Sequence, residues 1–257
     1  MKLALIGNGA IAQYVSRAAI ERGHSIVAVL VRSGREAEKP GLFISDVEAL
    51  PVETDLVIDC AGHEALAAYG PRVLRQGFAM VTVSIGALGD QKLIDELESA
   101  AQFGNARLHL ASGAIGGLDC LKAASVGELD TVTYIGRKPP IGWKGSPAEA
   151  SLDLDILSAP ATHFEGSARE AALKYPKNAN VAAAVALAGM GMDATKVELI
   201  ADPDINQNMH EIEAAGDFGT MRFQISGNSL PENPRSSALA AMSVVAKLEE
   251  LSAHVVI

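Results

Sequence analysis

Short apolar runs alternate with amphipathic stretches over the first 111 residues of the 257-residue chain. The apolar runs have the length and composition of buried strands, and they cover residues 2–6, 25–31, 55–60, 78–83 and 107–111. Apolar residues at helical spacing lie between them, over residues 10–21, 63–75 and 90–101. This alternation predicts a parallel sheet joined by crossover helices, and the continuous apolar strands predict that both of its faces are covered.

The pattern changes after residue 111. The Gly- and Ala-rich stretch 112–125 predicts a helix. The later elements are predicted as helices at 168–174 and 180–189 and as strands at 131–136, 196–201, 209–214 and 220–226. Strands so close along the chain predict a largely antiparallel sheet, with Gly216-Asp217-Phe218-Gly219 as a hairpin turn. Pro234, at a first helical position, predicts a last helix over residues 234–251.

These patterns predict an α/β chain of two domains. Residues 1–111 are expected to form a doubly wound parallel sheet, and residues 112–233 an α+β domain with a mostly antiparallel sheet. The closing segment, residues 234–257, is expected to pack back onto the first domain and complete it.

Composition narrows the function classes. The net charge is −10 and there is no block of basic residues, so the chain is a poor candidate for binding nucleic acid or an anionic membrane. The apolar run at residues 3–6 is too short for an export signal, and no run reaches the roughly 18–20 residues of a membrane-spanning helix. We therefore expect a cytoplasmic protein. Cys60 and Cys120 are predicted to be buried free thiols, and no His or Cys spacing indicates a metal site.

A glycine-rich segment links the first predicted strand to the first predicted helix. Its residues are Gly7, Asn8, Gly9, Ala10, Ile11 and Ala12. They fit the G-x-G-x-x-A pattern of the dinucleotide-binding Rossmann fold. The first glycine permits a tight turn, the second lets a pyrophosphate approach the backbone, and the small third residue lets helix and strand pack. The helix N-terminus then faces the phosphate, which predicts bound NAD or NADP.

The end of the second predicted strand distinguishes NAD from NADP in such folds, because an acidic residue there binds the ribose 2′-hydroxyl of NAD. This chain has Arg32, Ser33 and Arg35 at that place. These residues suit a 2′-phosphate, so we expect NADP to bind and leave NAD binding open. Ala61 and Gly62 follow the strand at 55–60 and are expected to line the nicotinamide side. His63, next to them, is an acid–base candidate, but a helix-capping role is favoured.

The second predicted domain carries the candidate substrate contacts. They are Arg137, Lys138, Lys144, His163, Lys177, Asn178, Asn180 and His210. The basic residues suit a carboxylate substrate. His210 shares a strand face with Ile212 and Ala214, and an apolar face shifts the pKa of a titratable ring. Spacing alone favours a hydrogen-bonded core histidine at this position.

Three long stretches carry a resemblance to a known family. They are LHLASGAIGGLD (108–119), EGSAREAALKYPKNANVAAAVALAG (165–189) and ADPDINQNMHEIEAAGDFG (201–219), and they closely resemble the L-aspartate dehydrogenase family. The GNGAIA loop and the closing NPRSSALAAMSVVAKL segment also fit, so the resemblance covers essentially the whole chain. It implies NAD(P)-dependent oxidation of L-aspartate to iminoaspartate, which is hydrolysed to oxaloacetate and ammonia. It also implies a homodimer and, in many bacteria, a supply of iminoaspartate for NAD biosynthesis.

The resemblance also implies roles for individual residues. Ala114 in ASGAIGG and Asn180 in KNANV match cofactor-binding positions, and His210 in NQNMHEI matches the catalytic histidine. Lys177 and Asn178 follow a proline whose fixed turn would hold them as substrate contacts. His210 is then expected to activate water for attack on the imine, or to protonate the departing ammonia.

Two other functions share the glycine-rich loop. One is another dehydrogenase or reductase on the same plan, such as a relative of homoserine dehydrogenase or dihydrodipicolinate reductase. The other is a non-catalytic NAD(P)-binding sensor. The KNANV and NMHEIE motifs argue against the first, and the presence of Lys177, Asn180 and His210 argues against the second.

Overall fold

The computed structural model of the protein describes residues 1–176 and 179–256, apart from the side chains of residues 234 and 235. Its strands are β1 (Lys2–Ile6), β2 (Ser25–Leu30), β3 (Phe43–Ile44), β4 (Leu56–Asp59), β5 (Met80–Thr82), β6 (Leu108–Leu110), β7 (Leu129–Lys138), β8 (Ala161–Ser167), β9 (Lys196–Ala201), β10 (Asn208–Gly216), β11 (Gly219–Gly227), β12 (Ser229–Leu230) and β13 (Asn233–Ser237). Its α-helices are α1 (Ala10–Glu21), α2 (His63–Arg75), α3 (Gln91–Phe103), α4 (Leu118–Ala124), α5 (Ala168–Lys174), α6 (Asn180–Ala188) and α7 (Ala238–Ser252).

The chain divides into two compact units. The first unit comprises Met1–Ala87, Gln91–Ala111 and the residues from Ala240 onward. The second unit comprises Leu88–Asp90 and Ser112–Leu239. The first unit therefore draws on parts of the chain that are far apart in the sequence.

The first unit contains a six-stranded parallel sheet in the order β3-β2-β1-β4-β5-β6. The chain builds outward from β1 to one side and then returns to extend the sheet on the other, which is the strand order of the Rossmann fold. The prediction of a parallel sheet with crossover helices is confirmed. This reversal places the carboxyl ends of β1 and β4 side by side, where such sheets bind their ligands.

The core of the first unit includes the last helix. Leu3, Leu5 and Ile58 of the central strands are at most 2% exposed, and Val244 and Leu248 of α7 belong to the same apolar cluster. The prediction that the last helix packs onto the parallel sheet is confirmed.

The predicted start of that helix is wrong. Residue 234 lies in β13, which pairs with β12 in a two-stranded ribbon, and α7 begins only at Ala238. Proline is compatible with such a ribbon because each of its strands has an edge with no ladder to complete. A proline at position 234 is therefore consistent with an edge strand as well as with the start of a helix.

The second unit contains a mixed five-stranded sheet in the order β11-β10-β7-β9-β8. β10 pairs antiparallel with β7 and β11, β8 pairs antiparallel with β9, and β7 and β9 are parallel. The expectation of a mostly antiparallel sheet is confirmed. The predicted hairpin is also present, because Gly216 pairs with Gly219 and leaves Asp217 and Phe218 as the turn.

The helix predicted over residues 112–125 is much shorter in the structure. It is confined to α4, and Gly117 directly before it has a φ of +72°. A left-handed residue cannot continue a right-handed helix, so the segment before Leu118 forms turns instead. Cys120 on α4 is exposed and Cys60 is half-buried, so the prediction of a buried thiol at Cys120 is wrong.

Two further features concern only the residues that the structure describes. None of their helices has both the length and the hydropathy required to cross a bilayer. No three of their His, Cys, Asp or Glu side chains are grouped so that they could hold a metal ion.

Candidate active site

The glycine-rich loop begins directly after β1. Gly7 has a φ of +93°, a conformation that is strained for residues with a Cβ atom. Its N–H donates to the carbonyl oxygen of Leu30 at 2.9 Å and so ties the loop to the end of β2. A Cβ atom on Gly7 would lie 2.9 Å from the Cβ atom of Ala61. The structure therefore brings together two of the predicted cofactor residues, Gly7 and Ala61.

Gly9 is the N-cap of α1 and faces open space. A Cβ atom added to Gly9 would meet no atom within 4 Å, and the first turn of α1 carries no acidic residue. The carbonyl oxygen of Asn8 accepts a 3.2 Å hydrogen bond from the Gln13 side chain, and Ala12 is 1% exposed against the sheet.

The first N–H groups of α1, including those of Ala10 and Ile11, have no partners within the helix. Space, a positive helix end and available N–H groups are the features that a pyrophosphate requires. The loop therefore fits a dinucleotide.

The two arginines predicted to meet a 2′-phosphate differ in their surroundings. Glu38 accepts hydrogen bonds of 2.6 and 2.7 Å from the Arg35 guanidinium, and this carboxylate raises the pKa of Arg35. Arg32 and Ser33 are exposed just beyond β2. Arg32 makes no ion pair within the part of the chain that the structure describes. Arg35 is therefore already neutralised, and Arg32 is the cation available to a phosphate.

A buried carboxylate lies where β4 and β5 end. Asp59 is 0% exposed and accepts hydrogen bonds from the Thr82 hydroxyl (2.8 Å), the Ser84 hydroxyl (2.6 Å) and the Ala61 N–H (2.9 Å). Burial raises the pKa of the Asp59 carboxyl, and these donors oppose the rise. Asp59 therefore fixes the chain at Ala61 and Gly62, the residues expected to line the nicotinamide side.

Three other predicted residues lie at or before the start of a helix. His63 is the first residue of α2, whose N-cap is Gly62, so the capping role favoured for His63 is wrong. Asn180 is the first residue of α6, and its N-cap, Ala179, makes no side-chain hydrogen bond. Ala114 is 9% exposed and lies in a turn before α4. A ligand could reach only the backbone of Ala114.

His210 is buried in the sheet of the second unit. It lies on β10 opposite Gly136 of β7 and Ile225 of β11, and it is 5% exposed. Its Nδ1 atom lies 2.7 Å from the hydroxyl oxygen of Tyr134, and the two rings stack with centroids 6.0 Å apart. The structure thus adds Tyr134 to the predicted site.

Gly136 provides the space for this pair. Tyr134 and Gly136 lie on one face of β7 because they are alternate residues of the strand. A Cβ atom on Gly136 would lie 2.7 Å from the Tyr134 hydroxyl oxygen. Any larger residue at position 136 would displace that hydroxyl from His210.

Lys138 places a positive charge beside His210. Burial lowers the pKa of Lys138 to about 8, and its ammonium lies 4.9 Å from the ring centroid of Trp143. Burial, and to a smaller extent the charge of Lys138, lowers the pKa of His210 to about 3. The same two causes lower the pKa of His163 to about 4. Both histidines are therefore neutral at neutral pH, and Lys138 is the cation of this cluster.

His210 lines a pocket of about 350 Å³ in the second unit. The other lining residues are mostly amide, hydroxyl and glycine groups: Pro139, Ile141, Gly142, Asn206, Gln207, Asn208, Gly227, Asn228, Ser229 and Ser237. Gly142 borders Lys138, since a Cβ atom on Gly142 would lie 3.3 Å from the Lys138 Cβ atom. A small pocket with many hydrogen-bond donors next to a cation suits a polar anion.

Two of the predicted cationic contacts are paired elsewhere. Arg137 donates to the carboxylate of Asp202 at 2.9 Å, and Asp202 is 4% exposed. Lys144 pairs with Asp155. Neither Arg137 nor Lys144 lines the His210 pocket. The structure therefore separates these two residues from the candidate site.

His163 forms part of an aromatic cluster. Its Nδ1 atom lies 3.1 Å from the Tyr175 hydroxyl, and its ring packs edge-on against Trp143 at 4.4 Å between centroids. This packing accounts for His163 as a structural residue. The predicted substrate contacts Lys177 and Asn178 lie outside the described residues.

Asp59 and Tyr134 are the functional candidates that the sequence patterns did not single out. The sequence does contain a signal for Asp59, because an acidic residue ends the apolar run LVID. The sequence contains no such signal for Tyr134, because it is 76 positions from His210 and only the register of β7 and β10 brings the two residues together.

Family models match both halves of the chain. A model described as "Aspartate dehydrogenase, C-terminal" matches residues 119–251. A model described as "Homoserine dehydrogenase, NAD binding domain" matches residues 5–111. The first match contains the whole lining of the His210 pocket, and the second contains the glycine-rich loop from Gly7 and the end of β2.

Curated relatives and solved structures agree with these matches. A protein named L-aspartate dehydrogenase from Ruegeria pomeroyi is 54% identical over 259 aligned residues, which cover 99% of this chain and 94% of the relative. Another, from a Polaromonas species, is 44% identical over 96% of each chain. The crystal structure of aspartate dehydrogenase from Thermotoga maritima has a TM-score of 0.79, with 26% identity over 100% of this chain and 99% of that chain. With a matching domain model and full-length relatives, the chain belongs to the L-aspartate dehydrogenase family.

Proposed function

We propose that the protein oxidises L-aspartate with NAD or NADP to iminoaspartate, which is hydrolysed to oxaloacetate and ammonia. The observation that carries the proposal is the His210 pocket. It is a small, amide-rich pocket beside the partly desolvated Lys138, in the half of the chain that matches the aspartate dehydrogenase model. A dicarboxylate is a ligand for which such a pocket is suited.

The first unit supplies most of the proposed cofactor contacts. We assign the pyrophosphate to the loop Gly7–Ala12, a 2′-phosphate or ribose to Arg32 and Ser33, and the nicotinamide side to Ala61 and Gly62. Ala114 and Asn180 remain proposed cofactor contacts, as their match to family motif positions implies. When bound, the dinucleotide accepts the hydride that leaves Cα of aspartate.

The second unit supplies the proposed substrate contacts. The ammonium of Lys138 gives the pocket a positive potential, which favours the two carboxylates of aspartate and positions them. Lys177 and Asn178 remain proposed substrate contacts from their place in the KYPKNAN segment. His210 is the proposed catalytic residue, and the substrate amine must be neutral when the hydride leaves.

Several properties of the assembly are proposed from family membership alone. We expect a homodimer in the cytoplasm, with L-aspartate, oxaloacetate and ammonia as its small-molecule partners. The product iminoaspartate would allow a role in NAD biosynthesis. Gel filtration coupled to light scattering measures the oligomeric state directly, and a monomer at working concentration would contradict the proposed dimer.

The test of the reaction is the appearance of reduced nicotinamide on mixing the purified protein with L-aspartate and either NAD or NADP. L-homoserine, L-glutamate and L-alanine serve as matched substrates, because each lacks one feature of aspartate or changes its length. We expect reduction with L-aspartate alone. The assay with L-homoserine is needed because the first half of the chain matches the homoserine dehydrogenase NAD-binding domain.

The other outcomes discriminate the competing functions. Reduction with L-homoserine but not L-aspartate would overturn the assignment in favour of a different dehydrogenase. Cofactor binding without reduction of any substrate would favour a sensor. A His210→Ala variant with the wild-type kcat/KM for aspartate would remove His210 from the reaction.

A further inference from the structure

The hydrogen bond between Tyr134 and His210 determines where the proton of the imidazole lies. The Tyr134 side chain is buried, at 1% exposure, and burial raises the pKa of its hydroxyl, so it keeps its proton. In the described parts of the chain, His210 Nδ1 at 2.7 Å is the partner of that hydroxyl. A buried hydroxyl that lacked an acceptor would lose a hydrogen bond inside a low-dielectric interior. The Tyr134 O–H therefore donates to Nδ1.

A nitrogen that accepts a hydrogen bond carries no hydrogen of its own. A neutral imidazole has one N–H, so the hydrogen of His210 lies on Nε2. A second proton is disfavoured by the burial of the ring and by the charge of Lys138, which together lower the pKa of His210 to about 3. Because Tyr134 occupies Nδ1 and His210 lines the pocket, Nε2 is the ring nitrogen that a ligand can contact.

We propose that His210 acts as a neutral hydrogen-bond donor, with its Nε2–H directed at a carboxylate oxygen of the bound substrate, and that Tyr134 is the positioning residue that fixes this tautomer. The inference rests on the proposed function for the identity of the substrate. It differs from the general acid–base role expected from the sequence, because a base at Nε2 requires a lone pair where this arrangement places the hydrogen. No proton is transferred in the proposed contact.

The tautomer can be observed directly in the full-length protein. Two-dimensional ¹H–¹⁵N spectra of histidine-labelled enzyme distinguish a protonated ring nitrogen from an unprotonated one, and His210→Gln identifies the signals of His210. We expect the wild-type spectrum to show Nε2–H and a hydrogen-bonded, unprotonated Nδ1, unchanged between about pH 6 and pH 8. An Nδ1–H tautomer or an imidazolium in this range would overturn the proposal, whether or not aspartate is the substrate.

A matched pair of variants tests the role of Tyr134. Tyr134→Phe removes the donor to Nδ1 and should give His210 a mixture of tautomers. Tyr175→Phe removes a hydroxyl that lies at 3.1 Å from the Nδ1 atom of another histidine with a lowered pKa, the half-buried His163. The control should change the signals of His163 and leave those of His210 in place. Equal effects of both variants on His210 would show a general structural disturbance and refute the positioning role.

Kinetics separates a donor from a base. Glutamine offers an N–H at the same distance along the side chain but cannot act as a base. We therefore expect His210→Gln to keep the KM for aspartate within about fivefold of wild type, while His210→Ala raises KM about 10- to 100-fold, the range of a lost hydrogen bond to a charged group. Equal loss of kcat in both variants, with KM unchanged, would favour proton transfer and contradict the proposal.

The pH profile provides the last readout. Among the residues that the structure describes, Tyr134 and Lys138 on β7 are the titratable groups that interact with His210, and the neighbouring residue of β11 is the apolar Ile225. We expect log kcat/KM for aspartate to show no histidine inflection between about pH 5.5 and pH 7.5. An inflection near pH 8 would belong to Lys138 and should vanish in Lys138→Met. An inflection near pH 6.5 that is lost in His210→Gln would identify a base and overturn the assignment.

Discussion

Two alanine substitutions in the glycine-rich loop should separate folding stability from cofactor binding. Gly7→Ala places a Cβ atom on a residue with φ +93° and 2.9 Å from the Cβ atom of Ala61. The backbone strain costs about 1–2 kcal/mol, and the forced contact costs about 1–3 kcal/mol more. We expect the free energy of unfolding of the cofactor-free protein to fall by about 2–5 kcal/mol.

Gly9→Ala is the matched substitution two residues along. Gly9 has φ −82°, and a Cβ atom there would meet no protein atom within 4 Å. The free energy of unfolding should therefore change by less than about 1 kcal/mol, the range of N-cap replacements. The added methyl group occupies the space proposed for the pyrophosphate. We expect the Kd for NAD and NADP to rise about 10- to 100-fold, equivalent to roughly 1.4–2.7 kcal/mol.

The two effects are measured on the same samples. Urea titration without cofactor gives the free energy of unfolding, and calorimetric titration with each dinucleotide gives the Kd. A Gly9→Ala protein that binds both cofactors like wild type would show that the pyrophosphate does not lie on the N-terminus of α1. A Gly7→Ala protein as stable as wild type would refute the argument from strain and from the contact with Ala61.

Three further substitutions and one control variant test other parts of the site. Arg32→Ala should raise the Kd for NADP at least about tenfold with little effect on the Kd for NAD, because Arg32 is the available cation beyond β2. Arg35→Ala should change neither Kd by more than about twofold. Equal effects of the two variants in a binding titration would contradict this reasoning. Asp59→Ala leaves three donors without their acceptor, two of them the buried hydroxyls of Thr82 and Ser84. It should lower the free energy of unfolding by about 3–5 kcal/mol in urea. A neutral result would mean that these donors find other acceptors. Gly136→Ala pushes the Tyr134 hydroxyl away from His210. It should lower kcat/KM for aspartate about tenfold while the Kd for cofactor stays constant. An unchanged kcat/KM would show that the Tyr134 contact is dispensable.

Most elements of the first unit were predictable because their signals are local, whereas the two-residue edge strand β3 was not predicted. A parallel sheet covered on both faces requires continuous apolar strands, and the helices between them show the 3.6-residue period, so β1, α1 and α2 match the predicted ranges. In the second unit, the β12–β13 ribbon was not predicted, and neither was β8. Its pairing with β9 shifts register between Thr162 and Phe164, and such an irregularity interrupts the alternation that reveals a strand.

The candidate site also has one part that the sequence predicts and other parts that it does not. The loop from Gly7 to Ala12 is contiguous, so its geometry follows from residue types at fixed spacing. The Tyr134–His210 pair depends on the register of β7 against β10, and the Gly7–Ala61 contact depends on the packing of two loops. Long-range register and packing are set by tertiary structure, and a single sequence contains no direct record of them.

The membership of α7 in the first unit has a consequence during protein synthesis. Val244 and Leu248 fill the same core as Leu3 and Leu5, and His24 Nε2 lies 3.1 Å from Glu249 Oε1. The ribosome releases the parallel sheet long before it makes these residues, and it makes the whole second unit in between. Until α7 is synthesised, part of the apolar surface of the nascent sheet therefore stays uncovered. Exposed apolar surface of this kind is what chaperones bind. The half of the protein that is translated first is thus the last to be completed.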